Sequence, residues 1–72
     1  MPMIAERLGA LVEEMDTKGV RFEDAVREFE KKFIAKVLER CGGNLTKTAD
    51  VLGLHRNTLT RKMLAYRLKR RA

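Results

Sequence analysis

The segment from residue 22 to residue 41 carries too many apolar residues for a helix with a single packing partner. Projected around a helix axis, they spread over an arc of roughly 220°, against about 100° for an ordinary amphipathic helix. One side of this helix must therefore pack within its own chain, and the other side must meet something else. The apolar residues are Phe22, Ala25, Val26, Phe29, Phe33, Ile34, Val37, Leu38 and Cys41.

The chain has 72 residues, and we expect one domain spanning residues 1–72. A chain of this size buries only about 60% of the surface that its unfolded form exposes, and one core supplies roughly 3–5 kcal/mol. Small domains add disulfides, a metal or oligomerisation. One cysteine and one histidine exclude an internal disulfide and make a metal site implausible. We therefore expect a dimer with no metal and no cofactor.

Glycines and the apolar period divide the chain into four helices without strands, which is an all-α fold. The first helix starts near Pro2 and ends at Gly19, a C-cap. Asn44 is suited to N-cap the third helix, and Gly53 ends it. The later helices are expected at residues 22–41, at residues 45–52, and from residue 56 to residue 66 or 68.

The apolar pattern of the two N-terminal helices, about residues 3–41, indicates a dimerisation unit. In this interpretation both helices of two chains form an intertwined antiparallel four-helix bundle. The alternative is a single compact core in which the C-terminal helices cover the second side of helix two. The residues expected at the dimer interface are Leu8, Leu11, Val12, Met15, Phe22, Val26, Phe29, Phe33, Ile34 and Val37.

Positive charge is concentrated in the C-terminal part of the chain. Residues 1–43 hold eight Lys/Arg and nine Asp/Glu, a net charge of −1, whereas residues 44–72 hold eight Lys/Arg and one acid, a net charge of +7. A solvated basic tail explains residues 69–72. It does not explain why no acid occurs after Asp50, because an ordinary solvated face mixes both signs. The asymmetry predicts a polyanionic partner.

Residues 44–68 have the pattern of a helix-turn-helix, in which two short helices meet across a tight turn. Ala49 must be small because the two helices touch there, and Gly53 lies where the backbone needs a positive φ. The inward side of the fourth helix is expected to carry Leu59, Met63 and Tyr66.

The opposite side of the fourth helix carries side chains suited to duplex DNA. Arginine can bond to two atoms of guanine, asparagine can do the same with adenine, and threonine can meet a base edge or a phosphate. His55 either caps this helix or contacts DNA, and both interpretations remain open. Lys47 on the third helix is expected at a phosphate. The outward residues are Asn57 and Arg61, flanked by Arg56, Thr58, Thr60 and Lys62.

Residues 22–68 closely resemble the Fis family of helix-turn-helix domains. The matching marks are "FEKKFI", the "GN" before the third helix, "ADVLGLHRNTL", and "RKM" followed by Tyr66. The family includes the nucleoid protein Fis and the C-terminal domains of NtrC-type activators of sigma-54 transcription. The resemblance implies a homodimer whose recognition helices lie closer than one DNA turn, so that binding bends the duplex. It also implies backbone contacts from Asn44 and Thr46, and base or phosphate contacts from His55, Arg56, Thr58, Thr60, Arg61 and Lys62.

The chain departs from the family pattern in three ways. Arg67 stands where the family usually has glycine, so we expect the fourth helix to run on and to carry Arg70 and Arg71 toward the DNA backbone. In Fis itself, a mobile arm before the first helix contacts a recombinase. Only two residues precede the first helix here, so we do not expect stimulation of a recombinase. Because no ATPase or receiver domain precedes the motif, the chain alone is not expected to drive sigma-54 polymerase.

We therefore expect a cytoplasmic, nucleoid-associated homodimer that binds duplex DNA with sequence bias, bends it and regulates transcription, with RNA polymerase as a further candidate partner. The chain could instead be the excised C-terminal module of an NtrC-type activator. A third hypothesis is a protein- or RNA-interaction module without preference for duplex DNA. We expect no enzyme, because no nucleophile and base pair up, and no signal peptide or membrane partner.

Overall fold

The computed structural model describes residues 2–68, and within that range the chain forms four α-helices and no strands. The expected all-α fold is confirmed, and α3 has the predicted bounds. The predicted basic tail, residues 69–72, which includes Arg70 and Arg71, lies outside the described residues. The helices are α1 (Pro2–Thr17), α2 (Phe22–Arg40), α3 (Leu45–Leu52) and α4 (Arg56–Ala65).

The core lies between the C-terminal half of α2 and the helix-turn-helix. Ile34 and Leu38 of α2 pack with Ala49 of α3 and with Leu59 and Met63 of α4. Leu59 has no exposed surface and Ala49 is 4% exposed, which confirms the inward side of α4 and a small residue at the packed centre. The edge of this core is closed by half-buried Leu45, Leu52, Tyr66 and Leu68.

The rest of the apolar surface is left open. Helix α1 contributes no buried side chain, and Leu11 is 47% exposed. Phe22, Val26, Phe29 and Phe33, here called the phenylalanine side of α2, are also exposed. The alternative in which the C-terminal helices cover both sides of α2 is therefore wrong. The bundle with a second chain remains a prediction.

Two residues expected at the dimer interface belong to the interior of the single chain. Ile34 is 3% exposed and Val37 is 6% exposed. Ile34 packs four residues before Leu38 on the side of α2 that faces α3 and α4. The width of an apolar arc shows that a helix has two partners, but it does not show where one contact surface ends and the other begins.

All four helices of residues 2–68 end in the same hydrogen-bonded turn. In this Schellman motif, the residue after a left-handed one donates its backbone N–H to a carbonyl five residues earlier, as Leu68 does to Met63 at 2.8 Å. The left-handed residue is a glycine in three helices, but in α4 it is Arg67 with φ 56°. The equivalent bonds elsewhere join Val20 to Met15, Gly43 to Leu38, and Leu54 to Ala49.

The expectation that α4 runs on past residue 66 is wrong, because it ends at Ala65. The physical reason is the packing of Leu68 against the core. Only a sharp turn at Arg67 brings Leu68 back to that position. The packing outweighs a backbone cost of about 1–2 kcal/mol for an L-residue in the left-handed region.

None of the helices in residues 2–68 combines the length and the hydropathy needed to cross a bilayer.

We predict that Arg67→Gly raises the free energy of unfolding by about 0.5–1 kcal/mol. Glycine removes the steric cost of the left-handed conformation, and its larger entropy in the unfolded chain offsets part of the gain. Urea unfolding at a fixed chain concentration measures the effect. Arg67→Ala is the control, because it removes the same charge but keeps the Cβ atom. An equal gain in both variants would assign the effect to charge instead of the backbone.

Candidate nucleic-acid interface

The first turn of α3 is held by the side chain that was predicted to cap it. Asn44 Oδ1 accepts a hydrogen bond from the backbone N–H of Lys47 at 3.0 Å. The buried Thr48 hydroxyl donates to the Asn44 carbonyl at 2.7 Å. Asn44, Thr46 and Lys47 are all exposed, and this turn contains no acid. An exposed amide, hydroxyl and ammonium group thus surround a helix N-terminus, which attracts anions.

The start of α4 is capped by a histidine. His55 Nδ1 accepts a hydrogen bond from the backbone N–H of Asn57 at 3.1 Å, so the capping interpretation of His55 is confirmed. A neutral imidazole that accepts at Nδ1 carries its proton on Nε2, which remains available as a donor. Capping and a DNA contact are therefore compatible roles for this exposed side chain.

The outward side of α4 is exposed and free of acids. We call Arg56, Asn57, Thr60 and Arg61 the recognition face; all four are exposed, whereas Thr58 is half-buried. Within residues 2–68, neither Arg56 nor Arg61 forms an ion pair. Two guanidinium groups, an amide and a hydroxyl thus stand together with no carboxylate among them.

Lys62 is separated from the recognition face by its bonding. Its Nζ donates to Glu30 Oε1 of α2 at 2.8 Å, and the Tyr66 hydroxyl donates to the same oxygen. The side chains of Lys62 and Glu30 are 33% and 29% exposed. The other ion pairs within residues 2–68 join highly exposed residues four apart in the sequence. The Glu30 contact is thus the one ion pair among the described residues that joins two helices.

These bonds shift the pKa of each group toward the form seen in the structure. Hydrogen bonds from Lys62 and Tyr66 hold the pKa of the Glu30 carboxylate below its usual value. The hydrogen bond to Glu30 raises the pKa of the Lys62 ammonium and the pKa of the Tyr66 phenol. The carboxylate and the ammonium are therefore charged together, and the phenol keeps its proton.

The role of Glu30 was not predicted from the sequence. Glu30, Ile34 and Leu38 are four residues apart, so that an acid lies on the core-facing side of α2. A carboxylate in that position needs a donor from a neighbouring helix. This spacing could have indicated the contact, but it does not say which of the basic residues provides it.

Residues 25–66 match the family model of bacterial regulatory proteins of the Fis family. The chain belongs to the Fis family. It is 38% identical over 47 residues to a Fis-like DNA-binding protein of Neisseria meningitidis, a match that covers 65% of this chain and 60% of that protein. A Fis-like DNA-binding protein of Xylella fastidiosa is 42% identical over 43 residues, which cover 60% of this chain and 48% of that protein.

A segment similar to this chain occurs in a longer protein. The nitrogen assimilation regulatory protein NtrX of Azorhizobium caulinodans is 36% identical over 47 residues, which are 65% of this chain and only 10% of NtrX. No solved structure is a significant match to this chain. The expected membership of the Fis family, with its helix-turn-helix, is thus confirmed.

We predict that Glu30→Gln reduces the loss of stability in acid. Since the folded-state pKa of Glu30 lies below its usual value of 4.5, its contribution is complete above that value and is lost as the pH falls through the lower folded value. The raised pKa values of Lys62 and Tyr66 affect stability only at alkaline pH, above their usual 10.5 and 10.0.

Between about pH 6 and about pH 3, the melting temperature should therefore fall further in the wild type than in the Glu30→Gln variant. Glu28→Gln is the matched control, because it removes the same charge from an exposed pair on α2 and should follow the wild type. Parallel curves for the wild type and Glu30→Gln would show that the contact adds nothing to stability.

Proposed function

We propose that this Fis-family chain binds duplex DNA as a homodimer, with sequence bias, and bends it as a regulator of transcription or of the nucleoid. The observation that carries the proposal is the recognition face, where Arg56, Asn57 and Arg61 are exposed on one helix without an acid beside them. Hydrogen bonding to guanine and adenine edges in the major groove uses these side chains. No three His, Cys, Asp or Glu side chains within residues 2–68 are grouped as metal ligands.

The contacts divide into two kinds. Arg56 and Asn57, at the start of α4, are assigned to base edges, because a recognition helix enters the groove by its N-terminal residues. Phosphates, which fix the position of the protein but carry little sequence information, are assigned to the start of α3 and to the remaining polar residues. Arg61, one turn after Asn57 on the recognition face, is assigned to base edges as well. The phosphate set is Asn44, Thr46, Lys47, His55, Thr58 and Thr60.

The homodimer is supported by the apolar surface that one chain leaves open. Helix α1 has no buried residue, and Phe22 on the phenylalanine side of α2 is 82% exposed. A twofold pair would present the same surfaces twice, so that α1 of one chain can cover the phenylalanine side of the other. Monomeric proteins rarely expose contiguous apolar patches of this kind.

Bending is proposed from the resemblance to the Fis family, which implies recognition helices that lie closer together than one DNA turn. Dimeric helix-turn-helix proteins that bind straight DNA place their recognition helices about 34 Å apart, one helical turn. With a shorter separation, both recognition faces enter the groove only if the duplex curves toward the protein. Contact with RNA polymerase belongs to the same proposal.

We predict that Arg56→Ala weakens binding to a preferred duplex by about 1–3 kcal/mol and reduces the preference over random duplex. Duplexes selected by the wild type from a random library, and a random duplex of equal length, are titrated with both chains. Lys32→Ala is the control, because it removes one exposed positive charge from α2. Equal losses on both duplexes would contradict base reading by Arg56.

The same titration tests the function itself. Equal affinity of the wild-type chain for duplex DNA and for RNA of matched length would favour the protein- or RNA-interaction module instead. Circular-permutation gels with the selected duplex report whether the bound DNA is bent.

We predict that Leu11→Glu produces monomers at concentrations where the wild type is dimeric. Leu11 is 47% exposed in the single chain, so the substitution leaves the chain's own core intact while placing a charge in the proposed interface. Sedimentation equilibrium measures the mass. Ala10→Glu adds the same charge on the other side of α1 and should remain dimeric. A monomeric wild type would contradict the homodimer.

A second candidate is that this unit serves as the DNA-binding part of a longer regulator. The observation that favours it is the match to a segment that makes up 10% of NtrX. The extent of the open reading frame that encodes these residues distinguishes the two candidates.

A further inference from the structure

The recognition helix is attached to α2 by more than its apolar side. In the core, Ile34 and Leu38 of α2 meet Leu59 and Met63 of α4. Glu30 lies one helical turn before Ile34 and extends the same line of contact beyond the core. There, one carboxylate oxygen accepts hydrogen bonds from Lys62 of α4 and from Tyr66, the C-cap residue of that helix.

Apolar packing and hydrogen bonding constrain a helix differently. Contacts between aliphatic side chains are non-directional, and they tolerate a small rotation of α4 about its own axis. Hydrogen bonds depend strongly on angle. Because Lys62 lies in the last turn of α4 and Tyr66 caps its end, bonding both to one oxygen of Glu30 fixes the rotation of that helix.

This rotation determines where the recognition face points. Asn57 and Arg61 lie on the same turns of α4 as the residues that face α2, so any rotation of the helix displaces their side chains. A misplacement of about 1 Å is enough to break a hydrogen bond to a base edge, since N–H···O distances span only about 2.7–3.2 Å.

We propose, on the basis of the proposed function, that Glu30 is a positioning residue for sequence recognition, and that Lys62 serves this contact and does not bind a phosphate. Glu30 sets the rotation of the recognition face relative to α2. Because α2 also carries the phenylalanine side, the same contact fixes each recognition face relative to the second chain of the proposed dimer.

The charges agree with this assignment. A carboxylate near DNA repels phosphate, but the Lys62 ammonium lies 2.8 Å from Glu30 Oε1 and neutralises it. A neutral pair adds nothing to counterion release, which depends on the number of phosphates that the protein neutralises. The pair can therefore lie beside the interface without changing the salt dependence of binding.

The experiment compares affinities for two probes, a duplex selected by the wild-type chain and a random duplex of the same length. We expect Glu30→Ala to lower the ratio of the two affinities about tenfold, because it removes the acceptor of both hydrogen bonds that fix the rotation of α4. Affinity for the random duplex should change no more than in Glu28→Ala, which removes the same charge from α2 without touching α4.

Two further variants keep the test decisive. Glu30→Gln retains an acceptor oxygen and the volume of the side chain, so it tests the proposal even if Glu30→Ala is poorly folded. We expect a loss of about threefold in the ratio, because a neutral hydrogen bond has roughly half the strength of a charged one. The double variant Glu30→Gln/Lys62→Met keeps the net charge and should have the wild-type slope of log affinity against log salt.

The possible results separate clearly. An unchanged affinity ratio in folded Glu30→Gln would overturn the positioning role. If the slope of log affinity against log salt is shallower by about one per chain in the double variant, Lys62 neutralises a phosphate. That result also overturns the proposal. If the wild type itself shows no preference between the two probes, sequence-biased binding fails and the inference fails with it.

Discussion

The contact between α2 and the helix-turn-helix is the one on which the rest of the structure depends. Ile34 and Leu38 are the part of α2 that meets Ala49, Leu59 and Met63, and this small core sets the angle between α3 and α4. Within residues 2–68, no helix covers the phenylalanine side of α2. One side of α2 thus supports the helix-turn-helix, and the other side is the open apolar surface that we propose a second chain covers.

Capping residues and glycines in the sequence were enough to predict most of the helices. Asn44 and Gly53 fix the bounds of α3 because capping and the left-handed turn involve only residues close together in the chain. Arg67 shows where that reasoning stops. Residue type favoured a longer α4, but the packing of Leu68 against the core ended the helix at Ala65. Propensity is decided locally, whereas packing depends on residues that are distant in the sequence.

In the candidate site, too, some features could be predicted from the sequence and others could not. The exposed polar side of α4 was predictable because it depends only on the spacing of residues along one helix. The partner of Lys62 was not, because the bond to Glu30 joins residues 32 positions apart. Counting charges along the sequence gave an acid-free segment, yet the fold brings an acid from α2 against it. Only the three-dimensional arrangement separates Arg56 and Arg61 from the neutralised Lys62.

The first and the last of the four helices differ in how many contacts fix them to the rest of the chain. Helix α4 is fixed at its start by the His55 cap, along its length by the core, and at its end by Glu30 and the turn at Arg67. Helix α1 has neither buried side chains nor a partner in the core. An isolated helix of this length is only marginally stable in water. The recognition face is organised before any DNA is bound, which lowers the entropic cost of binding. In the proposed homodimer, the second chain would stabilise α1. Under the proposed function, association of the two chains sets the relative position of two recognition helices that are already folded, without changing their structure.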